Sequence, residues 1–444
     1  MRSVARVISL LAGVVSPWPL ERMPFSYTGA KGVRYQTAYY NLLDTGQRSS
    51  YAQVTAFVKA ERLDPNAKVW PFPRIIQFRS AEYCVEIAQY IKPVEHAIYE
   101  LCGDGVLLPQ GRLIGKGLNS WDRGRLISEY FVSGTGVIQL DLSQFDRYYS
   151  TKHLLLEQFV YLRMLRNARF KVLLRKQLVN IGKSFNGVRY RCSGNRMSGD
   201  MNTACGACLM MLIVTVTVLR YLRVSMSDVH LLIDGDDTLV FLPLDAARRL
   251  AQPMVTAFAE AGFVLKVDGV ADSIEAIRWC QCRPVWTPDG YRCVRDYRKV
   301  LSQALAGFKY VDSVKARRKL VAAVSLCEYV CGRGIPVLQE YAIALRRNVG
   351  DAVPLVFDEI DDRYYHLRFE DVSVVSLPPA FIDVATRSSF ARAFGLEPLD
   401  QVSYEQILAK WSFTCDGIES GGPLLDGDWL PRLPYWPCDS SGYC

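Results

Sequence analysis

Apolar residues gather into two short runs at 231–233 and 239–242, and between them stand Asp234-Gly235-Asp236-Asp237 and Thr238. Asp-Gly between strand-like runs is a strong short-range signal for a β-hairpin, here with adjacent carboxylates at its tip. On either side the pattern turns helical. Upstream, residues 201–219 form an uncharged run between Asp200 and Arg220. Asn202 and Gly206 within it, and the polar stretch before it, favour a buried core helix over a membrane span. Downstream, residues 246–261 predict a helix closed by Gly262 in the manner of a C′ glycine, and 263–267 predict a strand. With a further strand at 137–142, the central order is strand, helix, hairpin, helix, strand. The fold class expected is α+β, with a βαββαβ-like, mostly antiparallel sheet backed by two helices.

Around this centre the signals are more local. Residues 1–30 read as an irregular lead-in with Pro, Gly and aromatics, and 83–101 as an amphipathic helix in which Ile87 and Ile91 share a face. Residues 152–179 form a long helical pattern, followed by a hairpin at 183–191 that turns at Asn186-Gly187. A second hairpin is expected around Pro288-Asp289-Gly290. Helical signals predominate from 299 onward, and the last stretch, rich in Gly, Pro and Trp, reads as loop.

Composition narrows the class without settling it. With 444 residues, half of them hydrophobic and 22% charged, the chain is globular and long enough for two or three domains. A net charge of +8 favours a polyanionic partner, nucleic acid or anionic membrane. Thirteen cysteines are too few for a disulfide scaffold. Cys280-x-Cys282 and Cys327-xxx-Cys331 come nearest to a zinc spacing and read better as ordinary thiols in a reducing compartment. The apolar stretch 4–15 after Met1-Arg2 is broken by Arg6 and reads as an amphipathic or linker segment rather than a signal peptide; no spanning segment is expected.

The carboxylates supply the chemistry. Asp236 and Asp237 repel each other, so a positive partner is expected, and hard oxygens without nearby His or Cys suit Mg²⁺ or Mn²⁺. The strand 137–142 carries Asp141, and Asp146 follows five residues later. If that strand lies beside the hairpin, Asp141 and Asp236 can share two metal ions, as phosphoryl transfer requires; Asp146 taken alone is also a candidate helix cap. The loop 193–203 brings Ser198, Gly199 and Thr203 to a helix N-terminus suited to phosphate, although Ser198 or Asp200 could simply cap that helix. A basic stretch upstream supplies Lys59, Arg62, Lys68, Arg74 and Arg79, able to grip triphosphate oxygens or to sit as a solvated loop.

Asp141-x4-Asp146, then SGDMNT at 198–203, then Gly235-Asp236-Asp237, in that order behind the basic segment, resembles the motif series of viral RNA-dependent RNA polymerases. GNRMSGDMNTACG, FVKAE, PRIIQFR and YIKPVEHAIYE are similar to the tombusvirus and carmovirus type of positive-strand plant RNA virus, and Tyr27-Thr28-Gly29-Ala30-Lys31 resembles the motif where that group admits template. The resemblance covers residues 27–302. It implies a right-hand fold with fingers, palm and a mainly helical thumb, divided as N-terminal segment and fingers 1–133, palm 134–152, fingers insertion 153–191, palm 192–290 and thumb with tail 291–444. It also implies Asp141 and Asp236 as principal metal ligands, Asp237 as an auxiliary one, and two Mg²⁺ or Mn²⁺ ions as cofactors. Asp146 would read the ribose 2′-hydroxyl. Ser198, Gly199 and Thr203 would contact template and incoming nucleotide, Lys59 and Arg74 would hold the triphosphate, and Lys266 would protonate pyrophosphate. Residues 279–282 would fall at the primer-grip hairpin. Two departures stand out: Ala207 where the family usually has Asn, and Asp234 where close relatives usually have Asn.

The function implied is RNA-dependent RNA polymerisation that replicates a positive-strand genome by two-metal nucleotidyl transfer. Its partners would be single-stranded RNA template, ribonucleoside triphosphates, other viral replicase proteins and host membrane factors, in the host cytoplasm at membrane-associated replication complexes. Asp146 argues against a reverse transcriptase, which tends to place a bulky residue there. The alternative is a non-catalytic RNA-binding scaffold of such a complex.

Overall fold

The computed structural model describes residues 1–59, 73–305, 312–355, 367 and 370–415. Helix and strand are mixed throughout, and the chain divides into two compact units, Met1–Lys116 with Ser133–Asp272 and Gly117–Val132 with Ser273–Cys444.

The first unit is built on a four-stranded sheet in the order Leu265–Ala271, Thr135–Leu142, Asp237–Pro243, His230–Asp234, antiparallel throughout. The helices Thr203–Tyr221 and Leu244–Glu260 pack on it. The first of these is the only helix among the described residues long and apolar enough to cross a membrane, and 78% of that stretch is buried inside the unit. It is apolar on every side because it is surrounded: Cys208, Met211, Ile213 and Val216 are all fully enclosed. The expected order of strand, helix, hairpin, helix and strand is thus present, with the last strand running further than its apolar pattern, to Ala271.

A second sheet orders Ile75–Phe78, Val54–Val58, Val179–Ser184 and Arg189–Ser193, its middle pair parallel. The helix Ala81–Tyr99, capped by Ser80, buries Ile87 and Ile91 on one face as expected. Two expectations need correction. The helical pattern at 152–179 is two helices, Thr151–Met164 and Ala168–Arg175: Leu165 turns extended, and Asn167 starts a new helix by accepting from the Phe170 N–H at 3.0 Å. The lead-in is not irregular either. It holds the helix Arg2–Leu11, which buries Val4, Ala5 and Ile8, and most of the helix Gly29–Thr45 follows it.

The second unit is mainly helical. It contains Ser120–Tyr130, Tyr297–Gln303, Val314–Gly332, Leu338–Val349, Val384–Phe394 and Pro398–Lys410 around the hairpin Cys282–Thr287 and Gly290–Arg295. Leu320, Tyr341, Phe390 and Tyr404 lie in its core. Trp279 and Cys282 bridge across a tight turn in which Cys280 and Gln281 both take positive φ. The cysteines of both close spacings are thiols. The loop expected at the C-terminal end falls from 416 onward, outside the described residues.

Candidate active site

The acidic hairpin turns where its sequence says it should. Asp234 pairs with Asp237, leaving Gly235 and Asp236 as the two-residue loop. Gly235 has φ +75, the conformation demanded at the first central position of a type II′ turn and one that a side chain resists. Asp237 opens a strand that pairs with Thr135–Leu142 as far as Leu140 opposite Thr238, so the next step of the register sets Asp141 beside Asp237. On the far side of Asp141 stands Lys266, directly opposite in the adjoining strand. Residues directly opposite in antiparallel strands project from the same face. Asp234, Asp237, Asp141 and Lys266 therefore form one row across the sheet, with Asp236 at its tip.

Electrostatics confirms the crowding. Burial raises the Asp236 carboxyl above its usual range; Asp141 and Asp234 push it further, while a backbone hydrogen bond and Lys116 oppose the rise. Asp146 joins this neighbourhood because Gln144 turns left-handed after the strand and starts the short helix Phe145–Tyr148. Burial, with Asp236 adding and Arg196 opposing, pushes the Asp146 carboxyl up to about 6. Asp146 does not cap the next helix. Ser150 does, accepting from the His153 N–H in a capping box.

The donor set is hard oxygen without His or Cys, which suits Mg²⁺ or Mn²⁺. Among the described residues no three His, Cys, Asp or Glu side chains converge enough to cage an ion by themselves. This still fits Mg²⁺, which is commonly bound through one or two carboxylates and completes its shell with phosphate oxygens and water.

The loop before the buried helix is stitched to the second sheet. Ser198 Oγ accepts from the Gln77 N–H at 3.1 Å, and the Gly199 N–H donates to the Gln77 carbonyl at 2.7 Å. A Cβ on Gly199 would lie 2.6 Å from Phe78 Cβ, so only glycine permits this approach. Thr203 Oγ1 donates to the Met197 carbonyl at 2.9 Å. Neither Ser198 nor Asp200 caps the helix, whose N-cap is Asn202 without a side-chain cap bond. Asp200 is held instead by Arg79 Nε at 2.7 Å, with side chains 3% and 1% exposed. Arg79 also donates to Ala52 O and Asn180 Oδ1, each at 2.5 Å. Arg79 is therefore a buried cross-link between the basic stretch and the loop, and its expected place among the triphosphate-gripping cations is corrected.

Lys59 and Arg74 stay exposed and face each other at the open end of the first strand pair, the Lys59 N–H donating to the Arg74 carbonyl at 2.8 Å. Arg62 and Lys68 lie outside the described residues. Ala207 is buried, and Asn202 is fully enclosed, donating to Glu157 Oε1 at 2.8 Å while its Oδ1 accepts from Gln177 Nε2 at 2.9 Å. Asn202 is thus unavailable to replace the asparagine missing at 207.

Several residues of this region were not anticipated. Arg196 pairs with Glu157 beneath the loop, Tyr149 donates to Glu157 Oε2 at 2.7 Å, and Lys116 pairs with Asp234. The Arg196–Glu157 and Lys116–Asp234 pairs join positions far apart in the chain and have no local pattern by which sequence could reveal them.

A family model described as viral RNA dependent RNA polymerase matches residues 1–416. The chain belongs to this viral RNA-dependent RNA polymerase family. It is 29% identical over 441 residues to the RNA-directed RNA polymerase of Turnip crinkle virus, covering 95% of this chain and 54% of that protein. It is 31% identical over 400 residues to that of Tobacco necrosis virus strain D, covering 87% and 54%, and 29% over 394 residues to that of Carnation mottle virus, covering 85% and 49%. The chain spans about half the length of the curated relatives it matches.

Proposed function

We propose that the chain is an RNA-directed RNA polymerase that replicates a positive-strand viral RNA genome from ribonucleoside triphosphates. The observation that carries this reading is the row of Asp234, Asp237 and Asp141 across one sheet, with Asp236 half-buried at its tip. In this account Asp141 and Asp236 are the principal ligands of two divalent ions and Asp237 an auxiliary one. When bound, the ions lower the pKa of the attacking 3′-hydroxyl and hold the departing pyrophosphate.

The remaining roles follow from position. Asp146, beside Asp236, reads the ribose 2′-hydroxyl. Lys59 and Arg74 hold the triphosphate as exposed cations at one strand mouth. Ser198, Gly199 and Thr203 border the template and incoming nucleotide; Ser198 Oγ accepts from Gln77 and still has a proton to donate. Lys266, which stands across from Asp141, protonates pyrophosphate in this reading. The central sheet belongs to the palm, the second sheet to the fingers, and the helices from residue 291 onward to the thumb. Template RNA, other replicase proteins and host membrane factors are its partners, at membrane-associated complexes in the host cytoplasm.

The test is incorporation of labelled ribonucleotides on a short single-stranded RNA with Mg²⁺ or Mn²⁺, comparing wild type with Asp236→Ala. Template-dependent product from the wild type alone supports the reading. RNA binding without product from either protein, and without carboxylate-dependent metal binding, supports the scaffold instead.

A further inference from the structure

The acidic hairpin carries one carboxylate more than two-metal chemistry needs. Asp234 is only 8% exposed and stands two residues from Asp236 on the same face as Asp237 and Asp141. A buried carboxylate without a partner is costly, and one beside a divalent ion competes to ligate it. The fold answers with a cation delivered by backbone. Residues 113–115 run along the outer edge of the strand His230–Asp234: Ile114 bridges Ile233 in parallel, the Ile233 N–H donates to the Leu113 carbonyl at 2.9 Å, and the Gly115 N–H donates to the Ile233 carbonyl at 2.8 Å. The next residue, Lys116, forms an ion pair with Asp234 Oδ1. That ladder sets Gly115 level with Asp234, and Lys116, one residue further on, reaches back to the carboxylate with its side chain. The charges then run Lys116, Asp234, Asp237, Asp141, Lys266, with a lysine at each end. A further anchor lies beneath: the Gly235 N–H donates to the Sγ of buried Cys208 at 3.1 Å.

We propose that Lys116 is a positioning residue of the polymerase centre, whose ammonium engages Asp234 and so keeps that carboxylate out of the metal set and the turn aimed with Asp236 towards Asp141. The inference rests on the reading of Asp141 and Asp236 as metal ligands. It assigns Lys116 no contact with substrate. Lys116 acts through Asp234.

The test is a double-substitution cycle on the full chain, with Lys116→Met, Asp234→Asn, the pair together, and Lys116→Arg. Two readouts are taken: Mn²⁺ affinity by electron paramagnetic resonance without nucleotide, and kcat and KM for ribonucleotide on a primed RNA. Freed from its partner, Asp234 should ligate the probe, so Lys116→Met is expected to bind Mn²⁺ about tenfold tighter while kcat falls by about tenfold or more and KM changes little. Adding Asp234→Asn should return both values close to those of Asp234→Asn alone, and Lys116→Arg should resemble wild type. A purely structural lysine would loosen Mn²⁺ binding or leave it unchanged, and that result overturns the proposal, as does a double variant as slow as Lys116→Met. If Lys116→Met fails to fold, the cycle is read from Asp234→Asn and the double variant. Equal Mn²⁺ affinity and kcat in these two support the proposal, and a slower double variant overturns it. If the wild type makes no RNA, the polymerase reading fails separately, and the Mn²⁺ arm still decides whether Lys116 restrains Asp234.

Discussion

Replacing Arg79 by methionine keeps its alkyl stem and removes a guanidinium that serves three acceptors at once. Asp200, Asn180 and the Ala52 carbonyl would each lose a donor now 2.5–2.7 Å away. Burial works against the Arg79 charge, but Asp200 and its hydrogen bond more than offset it, so the guanidinium is held more firmly protonated than usual. The partner left behind is the larger concern, because the Asp200 side chain is 3% exposed and would be a charge without a counter-ion. Breaking a buried pair in this way costs ~3–5 kcal/mol. The two neutral acceptors add up to ~1–3 kcal/mol each where water does not reach them. Chemical denaturation should therefore show Arg79→Met destabilised by about 4 kcal/mol or more, with the double change Arg79→Met/Asp200→Leu recovering most of the loss. Under conditions where the single variant is folded, its KM for ribonucleotides should stay near wild type, since an enclosed guanidinium reaches no triphosphate. A loss below about 1 kcal/mol, or a KM raised as strongly as by an exposed-cation substitution, would refute the cross-link.

Other expected outcomes come from the same geometry. Arg74→Ala, removing an exposed cation at the strand mouth, should raise KM for ribonucleotides several-fold in steady-state kinetics while leaving the melting temperature within a degree or two. Gly199→Ala forces a Cβ to 2.6 Å from Phe78 Cβ and 2.8 Å from the Gln77 carbonyl, so the loop must shift and the turnover number should fall without loss of the protein's overall fold by circular dichroism. Ala207→Asn should increase selectivity for ribonucleotides over deoxynucleotides in a competition assay, because Asn202, committed to Glu157 and Gln177, cannot supply the amide that the family resemblance implies at 207; unchanged or reduced selectivity would contradict that role.

Much of the centre could be read from the sequence because it is local. A hairpin with Gly at the one position needing positive φ, the two apolar runs that flank it and an uncharged helix each announce themselves within about a score of residues. The order of elements followed from those pieces, whereas the pairing that aligns Asp141 with the turn stood there only as a condition and is supplied by the fold. What stayed hidden depends on distance along the chain. Strand alternation sets Arg79 on the face opposite Arg74 and so gives it a different job, but nothing in the sequence says that Asp200, 121 residues away, would enclose it. Asp200 and Ser198 look like helix caps, yet their oxygens are claimed by Arg79 and Gln77. Lys116 has no motif at all, and only the non-local pairing of residues 113–115 with the strand His230–Asp234 brings it within reach of Asp234. The helix Arg2–Leu11 is legible only as an amphipathic or linker segment, for a related reason: its buried face is short, and its partner is the helix Thr151–Met164, with Arg163 Nε donating to Ser9 Oγ at 2.8 Å.

The central claim is that Asp141 and Asp236 together support templated ribonucleotide addition. The most direct measurement is single-nucleotide extension of a primed RNA whose next template base is varied in turn, with wild type, Asp141→Ala and Asp236→Ala at matched RNA occupancy. The account predicts that the wild type adds only the complementary ribonucleotide in Mg²⁺ or Mn²⁺, and that both variants bind the RNA with the same salt dependence yet add nothing. Extension that ignores the template base, or that survives either substitution, would contradict it.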